Sequence, residues 1–165
     1  MNNYSKIKDR EELSEIVDNY RKCNKGIKIV TTNGAFDLIH SGHVRTLQKA
    51  KSYGDILIVG LNSDKSIKNY KSPLRPIIPQ YERAEMLSAL EVVDYVVIFD
   101  ETNPIEFLKA IKPDFHIKSK SGYKGLEKDV VESNGGKIIL LDDIPGFSTT
   151  NLIQRIKEVL ESEKS

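Results

Sequence analysis

The chain is poor in several features that mark particular classes of protein. Its 165 residues include one cysteine, Cys23, and no tryptophan. A single cysteine cannot form an intrachain disulfide, which excludes a disulfide-stabilised scaffold and is typical of a reducing compartment. The apolar runs are far shorter than the about 18 residues that span a bilayer, and no signal-peptide pattern opens the sequence. We therefore expect a cytoplasmic protein without a membrane partner.

An excess of charge of one sign is also absent. The chain carries 25 Lys and Arg against 24 Asp and Glu, a formal net charge of +1. This balance produces no overall field that would attract nucleic acid, and we expect no nucleic-acid partner. With 39% hydrophobic and 30% charged residues, the composition is that of an ordinary globular protein. Because no linker-like stretch divides the sequence, we predict one domain over residues 1–165.

Short β-branched runs alternate along the chain with segments of helical period. The runs predict strands at 27–32, 56–61, 95–99, 115–118 and 137–141. The helical segments lie at about 9–22, 44–53, 80–90, 104–111, 126–133 and about 149–162. This alternation predicts an α/β fold, a Rossmann-like doubly wound parallel sheet of about five strands. The polar segment 62–79, rich in Lys, Ser and Pro, is predicted to be a mobile loop.

The strongest local pattern is Asn-Gly-Ala-Phe-Asp-Leu-Ile-His-Ser-Gly-His, residues 33–43, which follows the first predicted strand. In doubly wound sheets ligands bind beyond the carboxyl ends of the strands. If a helix begins near Ser41, its first amides favour an anion, and His40 and His43 project to the same side. Gly34 and Gly42 allow a sharp turn and a close approach of phosphate to the backbone. The pattern predicts a phosphate site with two imidazole donors; surface histidines or a zinc site are the alternatives.

These residues resemble the nucleotidyltransferase superfamily whose signature is a His-x-Gly-His tetrapeptide after the first strand. The resemblance continues through LIVGLNSD, RPIIPQYERAEMLSALEVVDYVVIFDE, IKPD and GFSTTNLI. In detail the chain is similar to the adenylyltransferase domains that make ADP-heptose from D-glycero-β-D-manno-heptose 1-phosphate and ATP. It is similar, less closely, to glycerol-3-phosphate cytidylyltransferases. The resemblance implies transfer of a nucleoside monophosphate from ATP or CTP to a small phosphorylated acceptor, with release of pyrophosphate.

The resemblance also implies roles for individual residues. The catalytic group comprises His40 and His43, which stabilise charge on the triphosphate, and Arg83, which contacts the phosphates. Binding of the nucleotide falls to Asn33, Gly34, Ala35, Phe36, Gly42, Lys71, Arg75, Ser148, Thr149 and Thr150. Read without the resemblance, Ser148–Thr150 is a plain helix cap, Arg83 a surface ion pair and the lysines a solvated face.

Acceptor binding is assigned by the same resemblance to Asp37, Asn62, Lys118 and Tyr123. Asp37 could instead bond amides of its own loop. We expect Mg2+ to be held mainly by the nucleotide phosphates, so no residue is predicted as a metal ligand. The resembled family also implies a homodimer. A separate sugar kinase is expected upstream, because the chain has no room for the kinase domain fused to this one in bifunctional relatives.

One loop departs from the heptose pattern. Where that branch usually reads Lys-Gly-Gly-Asp-Tyr, residues 118–125 read Lys-Ser-Lys-Ser-Gly-Tyr-Lys-Gly. Cations replace a carboxylate, and we hypothesise that Lys120 and Lys124 contact a more anionic or differently shaped acceptor. ATP or CTP, the identity of the acceptor, and a non-catalytic nucleotide-sensing role on the same fold stay open. A dinucleotide-dependent dehydrogenase is disfavoured because no Gly-x-Gly-x-x-Gly follows a strand.

Overall fold

Within the described residues, six parallel strands form one sheet. The computed structural model describes residues 3–146 and 148–163. Its strands are β1 (Ile7–Lys8), β2 (Ile29–Gly34), β3 (Ile56–Asn62), β4 (Tyr95–Phe99), β5 (Phe115–Ser119) and β6 (Lys137–Leu141), in the order β1-β4-β3-β2-β5-β6. The predicted Rossmann-like parallel sheet is confirmed. The strand that sequence reasoning missed is β1, whose two residues are too few to show a period.

Seven α-helices accompany the sheet within the described residues. They are α1 (Arg10–Cys23), α2 (Ser41–Lys51), α3 (Asp64–Tyr70), α4 (Gln80–Ser88), α5 (Ile105–Ile111), α6 (Lys128–Glu132) and α7 (Thr149–Ser162). In the part of the chain that the structure describes, no helix is long and apolar enough to span a membrane.

Helix α3 corrects the prediction of a mobile loop over 62–79. The Ser63 side chain caps this helix by accepting a hydrogen bond from the Ser66 amide at 3.1 Å. Ser66 and Ile67 are fully buried, so the helix is held by packing that its polar composition does not reveal. Because serine is a preferred N-cap residue, Ser63 is the one sequence signal that indicates the start of this helix.

Each face of the sheet buries its own apolar core. On one face Val30, Leu57 and Val59 pack with Leu47 of α2 and Leu87 of α4. On the other face the strands contribute Ile29, Ile58 and Val97, and the helices contribute Leu13 and Val17 of α1, Phe107, Leu108 and Ile111 of α5, and Val131 of α6. Consecutive strand residues therefore serve opposite cores, as the pleat requires. Each fully buried side chain of this kind contributes about 1.5–3 kcal/mol.

The position of β2 determines where a ligand can bind. The chain continues from β2 to β3 and β4 on one side and later places β5 and β6 on the other side. Pairing between β2 and β5 ends at Thr32 and Ile117, two residues before either strand ends. Such a reversal of strand order opens a crevice at the carboxyl ends of the two strands. The residues after β2 and β5 therefore face a common cleft.

Replacing Gly60 by Ala tests the packing of the sheet on α5. A Cβ at Gly60 would lie 2.9 Å from Cε1 of Phe107 and 3.2 Å from Cε1 of Phe99. Overpacking of this kind costs about 1–3 kcal/mol. We expect Gly60→Ala to lower the free energy of unfolding by that amount in urea denaturation. Lys22→Ala, at the exposed end of α1, should stay within about 0.5 kcal/mol of wild type; equal stability of all three proteins would contradict the packing described.

Candidate active site

A cavity of about 590 Å³ lies at the carboxyl ends of the central strands. This volume is in the range of small-molecule sites. The predicted site residues that line it are Asn33, Gly34, Ala35, Phe36, Asp37, His40, Gly42, His43, Asn62, Lys71, Lys118, Ser148, Thr149 and Thr150. The structure thus brings together residues that are up to 117 positions apart in sequence. Of the predicted residues, all of which are described, Arg75, Arg83 and Tyr123 do not line the cavity.

The turn after β2 is shaped by Phe36 and Gly34. Phe36 has a φ of 45°, in the left-handed region that a bulky residue rarely adopts. Such strain costs about 1–3 kcal/mol and persists only where the surroundings impose it. The Phe36 ring joins the core on one side and lies 5.3 Å from the His43 ring, centroid to centroid. A Cβ at Gly34 would stand 3.2 Å from this ring, so glycine lets the ring lie over the strand.

His40 and His43 stand together at the beginning of α2. His40 is the N-cap residue, and its backbone N–H donates to Nδ1 of His43 at 3.4 Å. The two rings stack with their centroids 3.9 Å apart. Because Nδ1 of His43 accepts this hydrogen bond, the neutral ring carries its proton on Nε2. The hydrogen bond therefore fixes the donor atom that His43 can offer a ligand.

Burial keeps these histidines uncharged. Desolvation, with smaller contributions from His40 and Lys71, lowers the pKa of His43 to about 4. Desolvation also lowers the pKa of His40. Near neutral pH both rings are therefore neutral, and each acts as a hydrogen-bond donor and not as a cation.

A second helix N-terminus meets the same cavity. Ser148 caps α7 by accepting a hydrogen bond from the Asn151 amide at 3.0 Å, so the helix-cap interpretation of this residue is correct. Ser148, Thr149 and Thr150 nevertheless all line the cavity. Two helix N-termini, those of α2 and α7, thus combine their amides and dipoles at one site, an arrangement that favours a polyanion.

The segment after α3 supplies positive charge. Lys71 lines the cavity, and its pKa is lowered first by burial and then by the nearby Arg75. Arg75 places Nε 2.6 Å from Oδ2 of Asp37. Asp37 is 2% exposed, and its Oδ1 accepts from the amides of Ile77 at 2.8 Å and Ile78 at 3.0 Å. Asp37 and Arg75 therefore fasten this segment to the turn after β2; their predicted substrate contacts stay predictions.

Arg83 is fully buried beneath the site. Its Nε donates to the Ile78 carbonyl at 2.8 Å, and Nη1 donates to the carbonyls of Ala35 and of Asn62, the latter at 2.9 Å. Nη2 lies 2.7 Å from Oδ1 of Asp64. We predicted that Arg83 contacts the phosphates; the contacts of this structure support a positioning role instead. The reason is that four protein acceptors surround the guanidinium and keep it from the cavity.

Across the crevice between β2 and β5, side chains replace the backbone pairing. Lys118 donates to Oδ1 of Asn33 at 3.1 Å, and its Nζ lies 3.1 Å from Oε1 of Glu127. Two residues earlier on β5, the buried His116 places Nδ1 2.8 Å from Oγ1 of Thr31. Desolvation, with Lys118 nearby, lowers the pKa of His116 to about 3, so this histidine is a neutral packed residue.

The unusual loop after β5 is fastened to the segment after β6. Lys120 pairs with Asp142 at 2.6 Å, while Ser121 donates to Asp143 through both its amide and its hydroxyl. Lys124 lines the cavity, whereas Lys120 does not. The expected cluster of cations is therefore partly neutralised by acidic residues that follow β6. The hypothesis that Lys124 contacts the acceptor stays a prediction. The same hypothesis for Lys120 loses support.

Sequence reasoning missed part of the cavity wall. Thr102, Asn103 and Pro104 line it before α5, as do Glu127 before α6 and Asp142 and Asp143 after β6. Residues 102–104 and 142–143 follow strands, and Asn62 is the last residue of β3, so the rule that ligands lie at carboxyl ends could have found them. Glu127 lies eight positions beyond the end of β5, and nothing in the sequence pattern indicated it.

A family model described as cytidylyltransferase-like matches residues 31–158. This range contains both the histidine pair and Ser148–Thr150. The chain belongs to the cytidylyltransferase-like family. The predicted His-x-Gly-His signature, residues 40–43, therefore lies within the part of the chain that the family model matches.

Similar curated proteins of the family carry the name bifunctional protein HldE. The one from Syntrophotalea carbinolica is 46% identical over 159 residues, which cover 95% of this chain and 32% of that protein. The proteins from Geobacter metallireducens and Nitratiruptor sp. are 48% and 50% identical, each over 92% of this chain and over 31% and 32% of their own lengths. The cytidylyltransferase-like chain therefore spans about a third of the length of these relatives.

Two solved structures share the fold. The lipopolysaccharide core biosynthesis protein from Thermoplasma volcanium is 25% identical, with a TM-score of 0.61 over 72% of this chain and 98% of its own. A pantoate-beta-alanine ligase from Francisella tularensis, complexed with beta-gamma ATP and beta-alanine, is 18% identical with a TM-score of 0.61. It covers 94% of this chain and 78% of its own, and at this identity the likeness shows the fold alone.

The protonation state of His43 can be measured by NMR titration of the ligand-free protein. We expect the His43 ring to titrate with a pKa of about 4, because burial and its neighbours disfavour the cation. Variants His40→Gln and His116→Gln would identify the remaining signals. A pKa at or above 6.5 would contradict the neutral donor described here.

The positioning role of Arg83 predicts a stability effect. Arg83→Met would leave Asp64 and the carbonyls of Ala35 and Asn62 without their donor. We expect the free energy of unfolding to fall by about 3 kcal/mol or more, since breaking a buried pair leaves its partner uncompensated. Arg155→Met, at an exposed position on α7, is the matched control. Unchanged stability with a raised KM for nucleotide would instead support a phosphate contact.

Proposed function

We propose that the chain is an adenylyltransferase that transfers AMP from ATP to a sugar 1-phosphate of the heptose 1-phosphate type, giving an ADP-sugar and pyrophosphate. The observation that carries this proposal is the meeting of two neutral histidines at the start of α2 with Ser148–Thr150 at the start of α7 in one cavity. The resemblance to heptose adenylyltransferase domains and the similarity to HldE proteins favour ATP over CTP.

The chemistry needs little from the protein beyond positioning and charge stabilisation. A phosphate oxygen of the sugar 1-phosphate attacks the α-phosphorus of ATP and forms a new P–O bond. The bond from the α-phosphorus to the oxygen that bridges the α- and β-phosphates breaks, and its electron pair leaves with pyrophosphate. Because a phosphate monoester is already an anionic nucleophile near neutral pH, no general base is required. Catalysis can then rest on alignment and electrostatic stabilisation.

Neutral imidazoles suit this role. A donor held in place before the reaction requires no reorganisation when negative charge develops on the triphosphate, and it is strengthened where water is excluded. The stacking of His40 on His43 and the hydrogen bond to Nδ1 provide this preorganisation. The Lys71 ammonium and the amides of two helix N-termini add the positive potential that a triphosphate requires.

We expect Mg2+ to enter this site mainly through the nucleotide phosphates. Among the described residues no group of three or more His, Cys, Asp or Glu side chains is placed to hold a metal ion. Mg2+ readily keeps water and phosphate oxygens as ligands. When bound, the ion would neutralise part of the charge on the triphosphate. His40, His43 and Lys71 would donate hydrogen bonds to phosphate oxygens that the ion does not bind.

Further expectations accompany the proposal. The proposed reaction requires a sugar 1-phosphate, which a sugar kinase activity would supply. The assembly is expected to be a homodimer and its location the cytoplasm. Size-exclusion chromatography with light scattering would test the first of these two expectations directly.

Pyrophosphate release tests the proposed function. ATP and CTP would each be offered D-glycero-β-D-manno-heptose 1-phosphate and glycerol 3-phosphate in the presence of Mg2+. We expect turnover with ATP and the heptose phosphate. His43→Ala should lower kcat about a hundredfold or more, because it removes a preorganised donor.

The control for this experiment is Gln48→Ala, at an exposed position on the same helix, which should behave as wild type. The melting temperature of each variant would show that the protein is folded. Turnover with CTP alone would keep the mechanism and overturn the choice of nucleotide. A folded wild type that binds ATP but turns over none of the four pairs would contradict the proposed reaction with these acceptors.

A further inference from the structure

Glu127 is a buried carboxylate on the wall of the cavity that no step of the proposed reaction uses. It lies directly before α6 and is 4% exposed. Its Oε1 stands 3.1 Å from Nζ of Lys118. Within the described residues, Oε2 is buried and accepts no hydrogen bond. Oε1 is therefore paired with a cation, and Oε2 has no hydrogen-bond donor among the described residues.

The other carboxylates of the cavity differ from Glu127. Asp37 accepts two backbone hydrogen bonds and pairs with an arginine, Asp142 pairs with Lys120, and Asp143 accepts from Ser121. More than nine in ten buried polar groups in proteins find a partner, so an exception calls for an explanation. An ion pair with Lys118 accounts for Oε1 alone. A donor brought by a ligand would account for Oε2.

The position of Glu127 indicates which part of a ligand would donate a hydrogen bond to Oε2. The paired residues Lys118 and Asn33 each lie two positions after the paired residues His116 and Thr31 on the same strands. Both pairs therefore lie on the same face of the sheet, the one that packs against α1, α5 and α6. Helix α2, which carries the histidines, packs on the opposite face. Glu127 thus belongs to a different wall of the cavity from the histidine pair. A carboxylate repels phosphate, so this wall suits an uncharged donor.

Lys118 and Glu127 together offer complementary groups. The ammonium donates hydrogen bonds, and the carboxylate accepts them. A hydroxyl group both donates and accepts, so neighbouring hydroxyls of a sugar ring match the pair. A carboxylate acceptor also makes a stronger hydrogen bond than a neutral one.

We propose that Glu127 is a specificity-determining residue whose Oε2 accepts a hydrogen bond from a ring hydroxyl of a sugar bound in the cavity, with Lys118 as the neighbouring donor. This inference rests on the proposed function and names a substrate contact for it. Two bound groups share this chemistry, the ribose of ATP and the ring of the acceptor sugar. Binding measurements with each ligand alone distinguish them.

Calorimetry measures the two ligands one at a time. The probes are α,β-methylene-ATP with Mg2+ and D-glycero-β-D-manno-heptose 1-phosphate. They would be titrated into wild type, Glu127→Ala, Glu127→Gln and the control Glu132→Gln, an exposed glutamate on α6. We expect Glu127→Ala to weaken one of the two ligands about tenfold or more, the effect of losing a hydrogen bond to a charged group. The other ligand and the control should stay within twofold of wild type.

The ligand that weakens identifies the ring. If it is the nucleotide, either the 2′-deoxy or the 3′-deoxy form of the analogue should bind wild type and Glu127→Ala equally. If it is the sugar phosphate, the nucleotide affinity should remain unchanged. Steady-state kinetics should then show a raised KM for the same substrate with a smaller change in kcat.

Two results would overturn the inference alone. One is unchanged affinity for both ligands in Glu127→Ala and Glu127→Gln. The other is an equal loss for both ligands together with a lowered melting temperature, which would mean that Glu127 only supports the structure. A wild type that binds neither probe would overturn the proposed function, and this inference with it.

Discussion

The site depends on one buried guanidinium. Arg83 joins the turn after β2, the end of β3, the start of α3 and the segment before α4 through hydrogen bonds to Ala35, Asn62, Asp64 and Ile78. Loops at the end of a sheet lack the backbone hydrogen bonds between strands that hold the strands in place. A planar cation with five N–H groups can hold several carbonyls at once in a fixed geometry. Asp37 adds a second tie between the same turn and residues 75–78.

The loops around the histidine pair hold both rings in place, and burial keeps them uncharged. The left-handed Phe36 and the stacked rings hold His43 against the core, and burial removes its charge. An exposed, mobile imidazole would retain a pKa near 6.5 and would have to be ordered during the reaction. Here the order is established by folding. In the proposed reaction, the strain at the turn and the desolvation of the ring would therefore prepare the site for catalysis.

Local patterns made the fold and half of the site predictable. Buried strands appear as β-branched runs, and the sharp turn with its glycines and two histidines follows the first of them. Features that arise from packing were not visible in the sequence: β1 is two residues long, and α3 hides Ile67 in a polar segment. Arg83 and Glu127 illustrate the same limit, because an arginine or glutamate in a helical segment looks solvated until tertiary contacts enclose it.

In the proposed reaction, the protein transfers the α-phosphoryl group of ATP together with its nucleoside to a sugar 1-phosphate. The most direct measurement follows the label from ATP carrying radioactive phosphorus at either the α- or the γ-position, with D-glycero-β-D-manno-heptose 1-phosphate as acceptor. We expect the α-label to enter the sugar product and the γ-label to be released entirely as pyrophosphate. Transfer of the γ-label to the sugar, or retention of both labels in unreacted ATP bound to the protein, would contradict the proposed reaction.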